Sequence, residues 1–405
     1  MEDVRAAIQV DHREDGFIFA PAQDAIVAQY RASGRILLSP YRACLVGAHV
    51  DHQGGKVTGF ALDRGIVLGY RSTDDPNMRL RDATDASIAH VHPDDAVSRA
   101  GDSQDWSLFL IGAAKVFGPR SRGFVGAEAG SLPSGRLSSS AAFSLALLSA
   151  LADVNGKTWD TADLAEAAVR VENEYVGVKC GLLDPTIIAN AKAGHMVTLD
   201  CQTNQVTVDP GPEVAIVAVY SGIPRRLAAT GFNNRTDECR EAAKLAAERT
   251  GFAARDEVHG LGDLPRDLLR AELEELPMPF QGRARHFVTE VERVEQAIAA
   301  WRDGDLEAFG ACARESLESS ISNYETGNEE QQVLGRILNR APGVYGARFC
   351  GGGFGGFAAG VSDPEAAEEA AQWALSEYRR AVPKYADAAF SVVSRPSDGL
   401  RWLEP

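Results

Sequence analysis

The feature that most narrows the fold is a run of small residues, Leu132-Pro-Ser-Gly-Arg-Leu-Ser-Ser-Ser-Ala-Ala142, leading straight into a helix. From Ser140 to Asp153 the apolar positions recur at helical spacing, with neither Pro nor Gly. Small residues let the loop close on whatever it touches. The helix start behind it offers unpaired N–H groups and the positive end of a dipole. Three serine hydroxyls add donors, so the segment suits a polyphosphate and its Mg²⁺. It is not a Walker loop, because the Gly-Lys-Ser/Thr ending is missing. A Ser-rich turn that merely caps a helix fits the same residues.

Two other segments are as distinctive. Gly346-Ala-Arg-Phe-Cys-Gly-Gly-Gly-Phe-Gly-Gly356 holds six glycines in eleven residues, a density costly in backbone entropy. Flexible linkers favour Ser and lack flanking strand residues such as Val344, Tyr345 and Phe357, so a tight loop approaching a ligand or another loop is expected. Ser39-Pro-Tyr-Arg-Ala-Cys-Leu-Val-Gly-Ala-His-Val-Asp-His-Gln-Gly-Gly55 packs Arg42, His49, Asp51 and His52 around an apolar strand end and a double-Gly turn. Donors and acceptors clustered on a turn suit a polyhydroxylated ligand. A charged surface loop is the plainer account, and a His/Asp/His metal site would lack a fourth ligand.

At 405 residues the chain exceeds what one hydrophobic core usually supports, so two domains are expected. The polar stretch Asp200-Cys-Gln-Thr-Asn-Gln205 is the candidate junction, dividing 1–203 from 204–405. Strand-like segments (35–39, 60–62, 65–69, 196–199, 214–220) and helical ones (140–153, 161–176, 237–250, 285–301, 305–324) alternate irregularly. That predicts α+β rather than a parallel βαβ array. The net charge of −16 argues against a nucleic-acid partner, but not against a small anion held by a few local arginines. No apolar run reaches the roughly 18–20 residues of a membrane span, so no membrane partner is expected. Glu2, Asp3, Arg5, Asp11, Arg13, Glu14 and Asp15 make the N-terminus too charged for a signal peptide. Six scattered cysteines, without a CxxC pair or zinc spacing, read as reduced thiols in a cytoplasmic protein.

Taken in order, the three segments resemble the GHMP kinase superfamily over nearly the whole chain. The first resembles the galactokinase signature, in which Arg, Gly-Glu-His and Asp precede Asn/Gln-Gly. Arg283 to Ser316, with Ala284-Arg-His-Phe-Val-Thr-Glu290 and Gly304-Asp-Leu-Glu-Ala-Phe-Gly310, is also similar to galactokinases. Gly47-Ala-His-x-Asp-His-Gln-Gly-Gly55, Ser319-Ser-Ile-x-Asn-Tyr-Glu325 and Ala341-Pro-Gly-Val-Tyr-Gly-Ala-Arg-Phe349 look like plant-type galacturonokinases.

The resemblance implies a two-domain α+β GHMP kinase fold with the active site in the interdomain cleft. It also implies ATP and Mg²⁺ as cofactors and a sugar or sugar acid phosphorylated on its anomeric hydroxyl. Asp184 matches the catalytic aspartate that takes or orients the anomeric proton, and Arg42 the arginine that aims it. Glu172 and Ser140 match the Mg²⁺ ligands, oxygen donors of the kind that ion takes alongside water and phosphate. Ser134, Gly135, Arg136, Ser138, Ser139 and Ser140 form the phosphate loop. Ala48, His49, Asp51, His52, Gly181 and Phe232 stand at sugar-contact positions, Phe232 where galactokinases carry a tyrosine.

Four positions depart from the family pattern: Arg136 replaces glycine, Pro185 glutamine, Cys44 asparagine and Ala48 glutamate. The last favours a galacturonate kinase over a galactokinase, with Arg225, Arg226 and His52 as candidate cations for a substrate carboxylate. A galactokinase-like sensor without catalysis is the reading from another class; the intact Ser138-Ser-Ser-Ala-Ala142 and Asp184 oppose it. The oligomeric state stays open.

Overall fold

The computed structural model describes residues 12–92, 95, 106–132, 137–224 and 231–404. The expected site residues Ser134, Gly135 and Arg136, and the candidate cations Arg225 and Arg226, lie outside them. Two compact units result, one made of Met1–Arg42, Ala61–Ala193 and Ser397–Pro405, the other of Ala43–Phe60 and Gly194–Pro396. The expected division at 203/204 differs from this. Strand pairing, not chain order, decides which residues pack together: Lys56–Gly59 pair with a strand at 197–200, and Arg401–Trp402 pair with Leu37–Leu38.

In the first unit, β1 (His12–Glu14) and β2 (Phe17–Phe19) precede α1 (Pro21–Tyr30), β3 (Arg35–Ala43), β4 (Lys56–Ser72), β5 (Met78–Asp82) and β6 (Ile88–Val91). Then follow α2 (Ser107–Phe117), β7 (Phe124–Gly130), α3 (Ser139–Val154), α4 (Thr161–Arg170) and α5 (Leu183–Asn190). The sheet runs Arg401–Trp402, β3, β4, β7, β5, β6, with β5 and β7 parallel and β4 antiparallel to β7. Segments 60–62 and 65–69, read as strand beyond the Gly-rich turn, lie on the one strand β4. A Cβ on Gly65 would fall 2.1 Å from the Ser39 carbonyl oxygen, so glycine permits the close approach of β3.

Every residue of α3 from Ala141 to Ala152 is buried, as expected of a helix apolar on all sides. Each of its fully buried leucines (145, 147, 148, 151) contributes roughly 1.5–3 kcal/mol. The Asp160 side chain caps α4 by accepting from the N–H of Ala162 (2.7 Å) and Asp163 (3.1 Å), worth about 1 kcal/mol. The single helix expected over 161–176 is corrected. It changes character after Arg170, and Val171–Val176 form a π-helical turn closed by Gly177 at φ +85°.

The second unit pairs β8 (His195–Asp200) with the start of β4 and with β9 (Gln205–Pro210). A separate antiparallel sheet contains β10 (Ala215–Tyr220), β11 (Val344–Phe349), β12 (Phe357–Ser362) and β13 (Phe390–Ser394), in the order β11-β12-β10-β13. Among its helices are α6 (Phe232–Thr250), α7 (Phe280–Asp303), α8 (Leu306–Ser322), α9 (Glu329–Leu338) and α10 (Ala367–Ala381). Val217, Val219, Leu334, Phe349 and Tyr378 anchor its core. Helices beside a mixed sheet in the first unit and beside antiparallel strands in the second make the architecture α+β.

The glycine-rich segment is the tight loop expected, joining β11 to β12. Gly351, Gly353, Gly355 and Gly356 all have positive φ. A Cβ on Gly353 would sit 2.7 Å from the Thr326 hydroxyl, which donates to the Gly352 carbonyl at 2.5 Å. Among the described residues no helix is long and apolar enough to cross a membrane, and none of the six cysteines forms a disulfide.

Candidate active site

The residues singled out in the sequence fall into two groups, one in each unit. In the first, Asp184 is the second residue of α5, where a carboxylate suits the positive end of the helix. Arg42, buried near the end of β3, brings both Nε and Nη2 to Asp184 Oδ1 at 2.5 Å. Ser138 Oγ donates to the other oxygen, Oδ2, at 2.6 Å. Arg42 and Ser138, far apart in sequence, thus fix the carboxylate from two sides. Pro185 follows in the first turn of α5, where a backbone N–H would have no partner within the helix. Its departure from glutamine therefore costs the helix nothing.

Ser138 (φ +62°) and Leu137 (φ +48°) are left-handed, an uncommon conformation for side chains of this kind. Ser139 and Ser140 open α3. Glu172 is buried in the π-helical turn, which packs against α3, the helix that carries Ser140. Such turns occur often at functional sites. A buried carboxylate and a hydroxyl on neighbouring elements are a donor set that fits Mg²⁺. Gly181 lies on the turn before α5, next to Cys180, whose N–H donates to Asn173 Oδ1 at 2.9 Å.

The second group centres on the loop after β3. Ala48 is buried, and His49 adopts φ +65°. Its imidazole stacks on Tyr324 at 4.4 Å and 8° and lies 6.3 Å from the Phe232 ring. Asp51 opens a short 3₁₀ turn ending at Gln53, whose side-chain amide donates to the His49 carbonyl at 2.6 Å. Phe232 starts α6, 6.2 Å from His52. The structure thus gathers Ala48, His49, Asp51, His52 and Phe232 in one unit, with His49 and His52 beside Tyr324's buried ring.

His52, one of the candidate cations for a substrate carboxylate, carries no positive charge in this loop at neutral pH. Burial, helped by the charge of Arg240, lowers its pKa to about 3, and its Nε2 lies 3.0 Å from the Tyr324 hydroxyl. Burial raises the Tyr324 phenol well above its ordinary value. The phenol therefore stays protonated beside a neutral imidazole, hydrogen-bonded to both His52 and the Cys239 thiol. Arg240, paired with Asp237 at 3.6 Å, is the cation whose field reaches this ring.

Sequence reasoning named the segments around His286, Glu290, Tyr324 and Arg348 but gave these residues no role. Glu290 is wholly buried on α7. Its Oε1 accepts from the N–H groups of Gly47 (2.8 Å) and Ala48 (3.3 Å) and from Ser316 Oγ (2.5 Å). Burial would raise its pKa, but His286, Arg293 and Arg348 outweigh that and leave it lowered. Arg293 Nε stands 3.2 Å from Oε2 and Arg348 Nη1 3.9 Å from Oε1. Removing one member of such a buried ion cluster typically costs about 3–5 kcal/mol. Arg283, also wholly buried, bonds Glu238 (2.8 Å), Glu325 (2.7 Å) and the Asn323 carbonyl (2.6 Å), fixing the chain on both sides of Tyr324. A polar residue on the apolar face of an otherwise amphipathic helix, as at 286 and 290, was the available signal.

These features meet the known proteins at both ends of the chain. GHMP kinases N terminal domain matches residues 111–191, and GHMP kinases C terminal matches 295–379. The galacturonokinase of Arabidopsis thaliana is 34% identical over 378 residues, spanning 87% of this chain and 89% of the relative. A galactokinase of Roseiflexus sp. (strain RS-1) is 31% identical over 370 residues, spanning 90% and 92%. The fold of Lactococcus lactis galactokinase complexed with galactose matches with a TM-score of 0.83 at 24% identity, over 94% of this chain and 99% of that one. A relative more than 30% identical along most of both chains leaves one assignment: this chain belongs to the GHMP kinases, among the sugar kinases of the galactokinase and galacturonokinase type.

Proposed function

We propose that the protein transfers the γ-phosphate of ATP to the anomeric hydroxyl of galacturonate, giving galacturonate 1-phosphate and ADP. The observation that carries the choice of sugar is Ala48, where the resemblance to galactokinases implies a glutamate accepting from the sugar's 6-hydroxyl. Galacturonate has a carboxylate at that carbon, and a glutamate would meet it with a like charge. The Arabidopsis thaliana relative, a galacturonokinase, supports the same reading. Arg240, whose charge acts on His52, is a candidate partner for the substrate carboxylate.

In this reading Asp184 accepts the anomeric proton as the oxygen attacks phosphorus, with Arg42 and Ser138 holding its two oxygens in place. His49, Asp51 and Phe232 contact the sugar, and Gly181 lends its backbone. The phosphate loop at 134–140 receives the nucleotide. Glu172 and Ser140 would hold Mg²⁺, which when bound neutralises phosphate charge. Galactose is the second reading, since galactokinases match over similar lengths. Substrate-dependent ADP release, measured with galacturonate, glucuronate, galactose and glucose, tests the proposal. The expected result is a kcat/KM for galacturonate at least about tenfold above that for galactose, a gap of 1.4 kcal/mol. A preference for galactose overturns the galacturonate reading, and no ADP release with any sugar overturns the kinase.

A further inference from the structure

Beyond the residues that touch substrate, the second unit contains a device that presets the sugar loop. His286 and Glu290 lie one turn apart on α7, so their side chains share a face. Both are wholly buried, and both reach the backbone at 47–48. Glu290 Oε1 takes the N–H groups of Gly47 and Ala48, while His286 Nε2 lies 3.0 Å from the Ala48 carbonyl oxygen. A carbonyl can only accept, so the imidazole carries its proton on Nε2. Its Nδ1, 2.9 Å from Ser319 Oγ, then accepts from that hydroxyl, whose oxygen in turn accepts from Asn323 Nδ2 at 3.1 Å. Both N–H groups at 47–48 and the Ala48 carbonyl are therefore taken by one helix. At Gly47 the chain has φ +100°, and a Cβ there would lie 2.7 Å from the Val57 Cα. His49 follows in a left-handed conformation that a side chain adopts only when its surroundings impose it.

We propose that His286 and Glu290 are positioning residues for sugar selection: they clamp the backbone at 47–48 so that Ala48 and His49 present a fixed surface to the sugar. The proposal rests on the reading that this loop meets the sugar, but not on which sugar it is. Ser316 and Arg348 complete the device from α8 and β11. Arg348 Nη1 donates to Ser316 Oγ at 2.6 Å, which donates to Glu290 Oε1, so the glycine-rich hairpin is tied to the same carboxylate.

The test compares His286→Leu, which removes the Nε2 donor at similar volume, with His286→Gln, whose amide can donate to the same carbonyl. Steady-state kinetics on galacturonate and galactose are read with the melting temperature of each variant. His286→Leu should raise KM for the preferred sugar about tenfold or more, the equivalent of one lost hydrogen bond, and narrow the ratio between the two sugars. The KM for ATP should move less than about twofold, and His286→Gln should restore most of the loss. Glu290→Gln, which keeps an oxygen for the two N–H groups, is the second variant should His286→Leu not fold; the clamp requires it to hold sugar KM nearer wild type than Glu290→Leu does. Parallel changes in both KM values, or an unchanged sugar KM in folded His286→Leu, overturn the clamp. A wild-type preference for galactose with the same KM pattern overturns only the galacturonate reading.

Discussion

Ser138 donates its hydroxyl to Asp184 Oδ2 at 2.6 Å, from a backbone held at φ +62°. A loop residue that the family pattern places among phosphate contacts therefore serves the carboxylate. With Arg42 on Oδ1, the carboxylate is oriented before any sugar arrives, and such preorganisation lowers a barrier without reorganisation during the reaction.

Ser138→Ala separates the two roles. A hydrogen bond to a charged group contributes roughly 1.5–3 kcal/mol, so kcat should fall by about ten- to a hundredfold if the hydroxyl aims Asp184. The KM for ATP should then be unchanged. A raised ATP KM with kcat intact would assign the hydroxyl to phosphate instead.

Asp184→Asn is expected to lower kcat by about 10²–10⁴ while ATP still binds, because the proton acceptor is lost. The same change leaves the buried Arg42 guanidinium without its carboxylate, so the melting temperature should fall as well. Turnover near wild type would remove Asp184 from the chemistry.

For the cation, Glu172→Gln should raise the Mg²⁺ concentration giving half-maximal rate, since one anionic ligand is lost. A Mg²⁺ titration that superimposes on wild type would make Glu172 a structural residue of the π-helical turn.

How far these residues were legible in the sequence differs by element, for physical reasons. Helix α3 was plain because an Ala/Leu run without Pro or Gly satisfies helix propensity and burial together. The turn at Val171–Val176 was not, since its residues continue the pattern of α4 and only the hydrogen-bond step changes. Family motifs pointed to Arg42 and Asp184, yet the Ser138 hydroxyl's partner lies on another helix and no local pattern encodes it. His286 and Glu290 sit at a spacing that equally describes a solvated surface pair. Burial separates the two cases, and burial belongs to the fold.

Acid should destabilise this protein through its neutral histidines. His52 and His286 are lowered to about 3 and about 4, burial being the larger cause for each. Between roughly pH 6.5 and 4 the unfolded chain binds protons there that the folded chain does not, so stability rises with pH and is lost on acidification. At pH 5 a fully buried histidine contributes up to about 2 kcal/mol of that loss. His52 keeps part of its surface exposed, so its share is smaller. His52→Gln should therefore flatten the fall in melting temperature between pH 7 and pH 5. An identical slope would show that His52 titrates normally.

On the proposed galacturonate reading, the choice of sugar turns on position 48. Its backbone is fixed by Glu290 and His286, so a longer side chain introduced there departs from a Cα that is anchored on both sides. Ala48→Glu would bring a carboxylate toward the carboxylate of galacturonate. At about 4 Å, with an effective dielectric near 20, like charges repel by about 4 kcal/mol, roughly a thousandfold in binding. Galactose, with a hydroxyl at that carbon, has no such term and gains an acceptor. Ala48→Glu should therefore depress kcat/KM for galacturonate far more than for galactose. Charge and bulk are separated by Ala48→Gln, which is nearly isosteric with glutamate but neutral. If charge decides, Ala48→Gln retains much more galacturonate turnover than Ala48→Glu. If the two variants lose galacturonate equally, bulk governs the pocket and the electrostatic account of its specificity fails.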